Sequence, residues 1–480
     1  MLRASDRRSG GRRTASQTNL NQQRERDPFF EKPPTTKRSD AWLLTCELHP
    51  EDFPVAASCS IHSISTPLAR KPRRTKEMTR DELRSDERRF FVLSTFDIDG
   101  LRRFQYQGQD RSLLYYYVFS PLAQFCVDRL TPRWIAPNVI TLSGLGLMVV
   151  SYLIFWFYAP LVAFTQEPPR WVFLYNGIAI LLYQTLDNMD GKQARRTQTG
   201  SPLGLLFDHG CDAVNSLFGS VNWMIAMGLD PRTDSWMCYS MLLGPYALFF
   251  IGTWEEYYTG ELIMPIVNGP NEGLLGAACM SFLSAAYGTS FWQGTTFWTS
   301  VAEPILQAAL PVDWALAVPA LRHADLLVLA SNFGFVQETL PKIWSVGMRY
   351  GPKSIESLAP FVVLLVAPLI LAYQDLELVI SMPRTLLHLI AFLFVEMTTA
   401  LMLAHICGAR YRALRWPLLP MALLAFRFDA ANLLMYTSVM GTYLACRTVL
   451  VIDEVCRALD LSCFDTTKRR TATNGHAKVH

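Results

Sequence analysis

Residues 139–158 read VITLSGLGLMVVSYLIFWFY, twenty residues with no Asp, Glu, Lys, Arg or His among them. As a helix this run is about 30 Å long, the thickness of a bilayer's hydrocarbon core. Outward from it, further apolar runs recur near 171–187, 205–228, 235–253, 273–293, 314–335, 357–373, 385–407, 417–426 and 430–451. The 480 residues are 50% hydrophobic and only 18% charged, with a mean hydropathy of +0.16. That balance excludes a string of soluble domains and predicts an all-α integral membrane protein of about ten transmembrane helices.

Charge is distributed unevenly. Residues 1–90 hold 19 Lys/Arg against 13 Asp/Glu, and the rest of the chain holds 25 against 28. The first segment, rich in Arg, Ser, Thr, Gln and Pro and lacking an apolar period, reads as a disordered basic leader (1–90). It has no apolar h-region, so the expectation is that the first span directs membrane entry. In 104–130, Leu113, Leu114, Tyr117, Val118, Leu122 and Phe125 recur at helical spacing among too many polar residues to span, which predicts an N-terminal interfacial amphipathic helix. Residues 131–464 form the membrane domain and 465–480 a tail. The loop after the second apolar run carries Lys192, Arg195 and Arg196, whereas 159–170 carries Arg170 alone, so the positive-inside rule puts leader, second loop and tail on the cytosolic side. The near-neutral body has no basic stripe to follow a phosphate backbone, so nucleic acid is excluded as a partner. The ten cysteines include no C-x-x-C pair and read as small hydrophobes.

Chemistry concentrates in Leu186-Asp187-Asn188-Met189-Asp190-Gly191-Lys192-Gln193-Ala194-Arg195 and in Gly204-Leu205-Leu206-Phe207-Asp208-His209-Gly210-Cys211-Asp212. Asp187 and Asp190 are three apart and Asp208 and Asp212 four apart, so each pair shares a helix face at the end of an apolar run. Four carboxylates gathered in a partly desolvated place repel one another and must take up protons or bind cations. Oxygen-only ligands suit Mg²⁺, Mn²⁺ or Ca²⁺ rather than zinc. Lys192 and Arg195 beside such a cluster would cancel the need for metal unless they hold an anion, and phosphate is the natural partner of both. The implied chemistry is metal-assisted phosphoryl transfer.

The pattern D-x2-D-G-x2-A-R-x8-G-x3-D-x3-D, matched by Asp187, Asp190, Gly191, Ala194, Arg195, Gly204, Asp208 and Asp212, resembles the signature of the CDP-alcohol phosphotransferase family. D-G-K-Q-A-R-R at Asp190–Arg196, F-D-H-G-C-D at Phe207–Asp212 and P-N-x-I-T-x-x-G at Pro137–Gly144 are similar to the eukaryotic choline/ethanolamine phosphotransferases. The stretch Asn268-Gly269-Pro270-Asn271-Glu272-Gly273 resembles an N-G-P-T-E-G segment of plant members, with Asn271 in place of Thr. The likeness runs from about Tyr106 to Phe464. It implies a ten-helix fold and two Mg²⁺ ions, with Mn²⁺ a substitute, on Asp187, Asp190, Asp208 and Asp212. It also implies CDP contacts from Asn138, Gly191 and Arg195, His209 as base, and Glu272 as the acidic residue that raises its basicity. The implied reaction moves phosphocholine or phosphoethanolamine from CDP-choline or CDP-ethanolamine to diacylglycerol, with release of CMP. The implied home is the endoplasmic reticulum membrane, with the Golgi as the other candidate, and the active site facing the cytosol. A homodimer is left open.

Read from the residues alone, His209 lies about 60° around a helix from Asp212 and can face the same cavity, where an imidazole can accept a proton near neutral pH. Two rivals remain. A CDP-diacylglycerol-dependent phosphatidyltransferase would keep the motif, but His209 and the long chain count against it. A cation transporter would need carboxylates near the bilayer middle and away from Lys192, Arg195 and Arg196. Outside the motif, Glu255 and Glu256 after Trp254 read as interfacial anchors, and Glu396 and His405 as helix–helix hydrogen-bonding groups.

Overall fold

The computed structural model describes residues 92–93, 98–164, 166–267, 269–309, 319–423 and 429–466. The expectations for residues 1–90 and for the tail beyond 466 fall outside these. The described chain is predominantly helical, with one short strand pair. Three helices are long and apolar enough to cross a membrane by length and composition: Pro137–Tyr158 (α2), Ser235–Thr259 (α5) and Pro383–Ile406 (α9). A fourth crossing exists if Gly269–Tyr287, which contains α6 (Leu274–Tyr287), counts as one span with Ser290–Ala309, although the two meet at 99°. This is a multi-pass membrane architecture. Its outward faces carry large exposed apolar side chains such as Leu153 and Phe157 on α2 and Phe333 and Trp344 on His323–Tyr350 (α7), which water would not tolerate in such number.

The remaining long helices are Arg170–Thr197 (α3), Pro202–Ala226 (α4), Ala359–Gln374 (α8) and Ala430–Leu459 (α10). Their starts follow local chemistry. Pro137 and Pro202 sit in first turns, where a missing N–H costs nothing, and the Ser201 side chain accepts from Gly204 N to cap α4. The Asp429 carboxylate caps α10 in the same way, accepting from Asn432 N. Besides the break after Tyr287 within the expected 273–293 run, and the extension of the 171–187 run to Thr197, two more runs differ from the observed elements. The 417–426 run begins as two short helical pieces, Trp416–Leu418 and Leu419–Leu423, before the chain leaves the described residues. Helix α7 starts at His323 and reaches Tyr350, where periodicity predicted 314–335.

The helix expected over 104–130 is also shorter than that range. Residues 108–110 form a strand paired in parallel with Leu262–Met264, Gly108 opposite Leu262. Helical conformation starts at 113 and includes Ser120–Arg129 (α1). Leu113, Tyr116, Tyr117, Leu122 and Phe125 project outward as an exposed apolar stripe.

Helix α3 packs between α2 and α6, and α4 packs on α2, α5 and α9. Buried amides and hydroxyls pin the four-helix centre: Ser151 donates to Asn176 (2.7 Å), Asn176 to Ser281 (2.8 Å), and Asn222 to Asn176 (2.9 Å). In a membrane interior such bonds are the glue that nonspecific apolar packing cannot supply. The largest apolar cluster centres on Tyr246, Phe250 and Trp254 of α5, with Tyr246 stacked on Phe394 at 4.1 Å. A smaller cluster of Leu203, Leu206, Leu403, Ile406, Val451 and Val455 ties the start of α4 to the ends of α9 and α10. The short helix Ile98–Arg103 lies against that cluster, where a Cβ on Gly100 would stand 2.1 Å from the Cys407 carbonyl oxygen. Because the obstacle is backbone, Gly100→Ala is expected to destabilise the protein by about 1–3 kcal/mol, read as a lowered Tm in detergent.

Candidate metal and nucleotide site

Helices α3 and α4 bring the two aspartate pairs together at one end of the bundle. Carboxylate oxygens of Asp187, Asp208 and Asp212 lie within 4.8 Å of one another. Asp190 is adjacent to the trio, is buried, and accepts from Thr141 of α2 at 2.5 Å. Tyr183, one turn before Asp187, donates to Asp212. Asp208 Oδ1 is buried without a hydrogen-bond partner among the described residues. An orphaned carboxylate oxygen amid three more carboxylates is costly unless a cation neutralises it. An all-oxygen donor set fits a hard divalent cation.

Beside the cluster lies a cavity of about 550 Å³, the size of a nucleotide-scale ligand site. Asn138, Asp190, Gly191, Arg195, Asp208 and His209 all line it, so six of the nine expected site residues share one space. A Cβ on Gly191 would project toward the cavity, meeting only the Arg195 Nη1 at 3.6 Å, so a ligand can approach the backbone there. No carboxylate pairs with Arg195 among the described residues, which leaves its guanidinium available to an anion. Asn138 donates to the Cys463 carbonyl at 2.9 Å and so ties to α2 the 460–466 segment, which supplies part of the cavity lining. His209 packs edge-on to Phe249 at 6.0 Å, and its Nδ1 is buried without a hydrogen-bond partner among the described residues.

Lys192 departs from expectation. It donates to Ser120 of α1 at 2.8 Å and does not line the cavity. Arg196 likewise serves α1 and the following turn, donating to the Val127 and Thr131 carbonyls. Of the three cations in the motif, Arg195 alone borders the cavity.

Glu272 accepts from Ser112 at 2.6 Å and is not part of the cavity lining that holds His209. Its segment acts as a brace: Gln184 of α3 donates to the Pro270 and Asn271 carbonyls at 3.0 Å, and Asn271 donates to Asp110 at 2.7 Å. These bonds fix α3 one turn before Asp187.

Glu256 also departs from expectation. Expected as an interfacial anchor, it is instead 2% exposed, 3.5 Å from the His405 imidazole. Its charge and that of Asp208 reach Tyr106 in the cavity wall, where burial first and these carboxylates second raise the phenol above its ordinary pKa. Neither Glu256 nor Tyr106 carries a sequence signal, because each acquires its neighbours from distant helices. Glu255, one residue away, pairs with Lys342 at 3.2 Å.

Comparison with known proteins agrees with this geometry. The family model for CDP-alcohol phosphatidyltransferase matches residues 134–306, which contain both aspartate pairs. Choline/ethanolaminephosphotransferase 2 of Arabidopsis thaliana is 30% identical over 398 residues, covering 78% of this chain and 97% of the plant protein. Choline/ethanolaminephosphotransferase 1 of Saccharomyces cerevisiae is 34% identical over 227 residues, 46% of this chain and 56% of the yeast protein. Cholinephosphotransferase 1 of Mus musculus is 37% identical over 187 residues, 39% of this chain and 44% of the mouse protein. Since the aspartate cluster falls inside the matched segment and the alignment runs nearly the full length of the plant protein, the chain belongs to the CDP-alcohol phosphatidyltransferase family.

Proposed function

We propose that this protein transfers phosphocholine or phosphoethanolamine from the CDP-alcohol to diacylglycerol, releasing CMP and forming phosphatidylcholine or phosphatidylethanolamine. The observation that carries the reading is the carboxylate cluster, two members of which, Asp190 and Asp208, line the same cavity as Arg195 and His209. The names of the plant, yeast and mouse relatives supply the alcohols.

Asp187, Asp190, Asp208 and Asp212 would hold Mg²⁺, two ions in the fullest reading with Mn²⁺ as substitute. When bound, such ions neutralise a pyrophosphate and stabilise the departing CMP. The chain's own groups do the rest. Arg195 holds a phosphate oxygen of the donor, Gly191 admits it close to the backbone, and Asn138 positions the 460–466 segment that covers the nucleotide. His209 takes the proton from the diacylglycerol hydroxyl as it attacks the phosphorus bearing the alcohol. Glu272, which accepts from Ser112, belongs to the segment whose Pro270 and Asn271 carbonyls brace α3. The site sits at helix ends, so a soluble donor enters from water and a lipid acceptor from between helices. Within this reading the chain spans the endoplasmic reticulum membrane about ten times with the cavity on the cytosolic side, as the basic C-terminal end of α3, with Lys192, Arg195 and Arg196, supports.

The test is incorporation of labelled CDP-choline and CDP-ethanolamine into lipid by purified protein with diacylglycerol and Mg²⁺. One active site predicts that each CDP-alcohol inhibits use of the other competitively. Failure to label lipid from either donor, while labelled CDP-diacylglycerol supports transfer to inositol, serine or glycerol phosphate, would replace this reading with the phosphatidyltransferase one.

A further inference from the structure

A second cavity, of about 430 Å³, shares no lining residue with the first. Arg410, Arg412, Arg415 and Arg447 line it. The carboxylate bonded there is Glu396 of α9, whose side chain is 1% exposed; Arg415 pairs with it and Arg447 approaches to 3.9 Å. Arg447 also donates to Thr399 at 3.1 Å, fixing its guanidinium against α9. No carboxylate pairs with Arg410 or Arg412 among the described residues. Four guanidiniums against one carboxylate leave a local surplus of positive charge.

Tyr411 gives an independent sign of a missing partner. Its side chain is 6% exposed, it lines the same cavity, and its Oη is buried with no hydrogen-bond partner among the described residues. A buried hydroxyl without a partner is destabilising, and an anionic oxygen would accept its proton. One wall of the cavity is apolar and faces outward: Trp416 is 56% exposed and Leu450 39% exposed. Guanidinium forks and a phenolic donor match phosphate oxygens, and an apolar outward wall matches acyl chains rather than water.

We propose that this cavity binds the phosphate of an anionic phospholipid whose acyl chains lie against Trp416 and Leu450. Phosphate is recognised by Arg412, Arg447 and the Tyr411 hydroxyl, while Arg415 remains committed to Glu396. The site lies across α9 from the metal cluster, since Thr399, which receives Arg447, faces Gly210 of α4 with 3.9 Å between its methyl and the glycine's ideal Cβ.

The purified full-length protein, held in phosphatidylcholine nanodiscs, is titrated with phosphatidic acid and, separately, with inorganic phosphate, with Tm as the readout. A saturable rise with phosphatidic acid alone is expected. Arg412→Gln is expected to raise its half-saturating concentration about tenfold, and Tyr411→Phe to raise it by less. Both variants are expected to retain CDP-alcohol turnover in phosphatidylcholine alone, because neither residue lines the active-site cavity. Equal titrations in wild type and both variants would overturn the site. A matching response to inorganic phosphate would overturn a lipid as occupant.

Discussion

Asp208→Asn is expected to lower turnover about 10³-fold or more, the scale of several kcal/mol of charge stabilisation at each factor of ten per 1.36 kcal/mol. The substitution preserves shape and removes one negative charge from a cluster in which Asp208 Oδ1 has no protein partner among the described residues. Two stability measurements separate this from a folding defect. Without divalent cation, the variant should melt at or above the wild-type temperature, because the like-charge repulsion within the cluster is relieved. With Mg²⁺ at a hundred times its Kd, the wild type should gain about 2.7 kcal/mol by mass action, whereas the variant should gain much less. An undiminished Mg²⁺ response in both rate and Tm would remove Asp208 from the ligand set.

Some of this site was legible before any coordinates because it is written in helical period. Asp187/Asp190 and Asp208/Asp212 share faces by spacing alone, and the two helices are joined by a loop of a few residues, so proximity follows from chain connectivity. Other features depend on what approaches from far along the chain. Lys192 and Arg195 are three apart and look equivalent in a sequence, but Ser120 of α1 captures Lys192 and leaves Arg195 to the cavity. Glu255 and Glu256 are adjacent, yet one meets Lys342 on α7 and the other His405 on α9. Glu396 and His405, expected as helix–helix hydrogen-bonding groups, meet other partners: Glu396 pairs with Arg415 from the segment after α9 and lies 3.9 Å from Arg447 of α10, and His405 lies 3.5 Å from Glu256 of α5. The short strand at 108–110 was illegible for a related reason: its partner lies some 150 residues away, and Gly108-Gln109-Asp110 has no strand propensity of its own.

His209→Ala is the sharper test of mechanism, because it should separate chemistry from binding. Removing a positioned general base typically costs 10²–10⁴ in rate, so kcat is expected to fall by about that factor. The Kd for CDP-choline or CDP-ethanolamine, measured by calorimetry in the presence of Mg²⁺, should change less than about threefold, since Arg195, Asn138 and the aspartates, the groups proposed to hold nucleotide and metal, are intact and one tenfold change needs 1.4 kcal/mol. In the proposed role the acceptor's hydroxyl proton goes to an imidazole whose Nδ1 has no hydrogen-bond partner among the described residues and whose ring packs edge-on to Phe249. Weakened donor binding in step with lost turnover would reassign His209 to holding the nucleotide. Full turnover in the variant would pass the proton to another acceptor in the cavity, and the aspartate cluster would then have to combine cation binding with base catalysis.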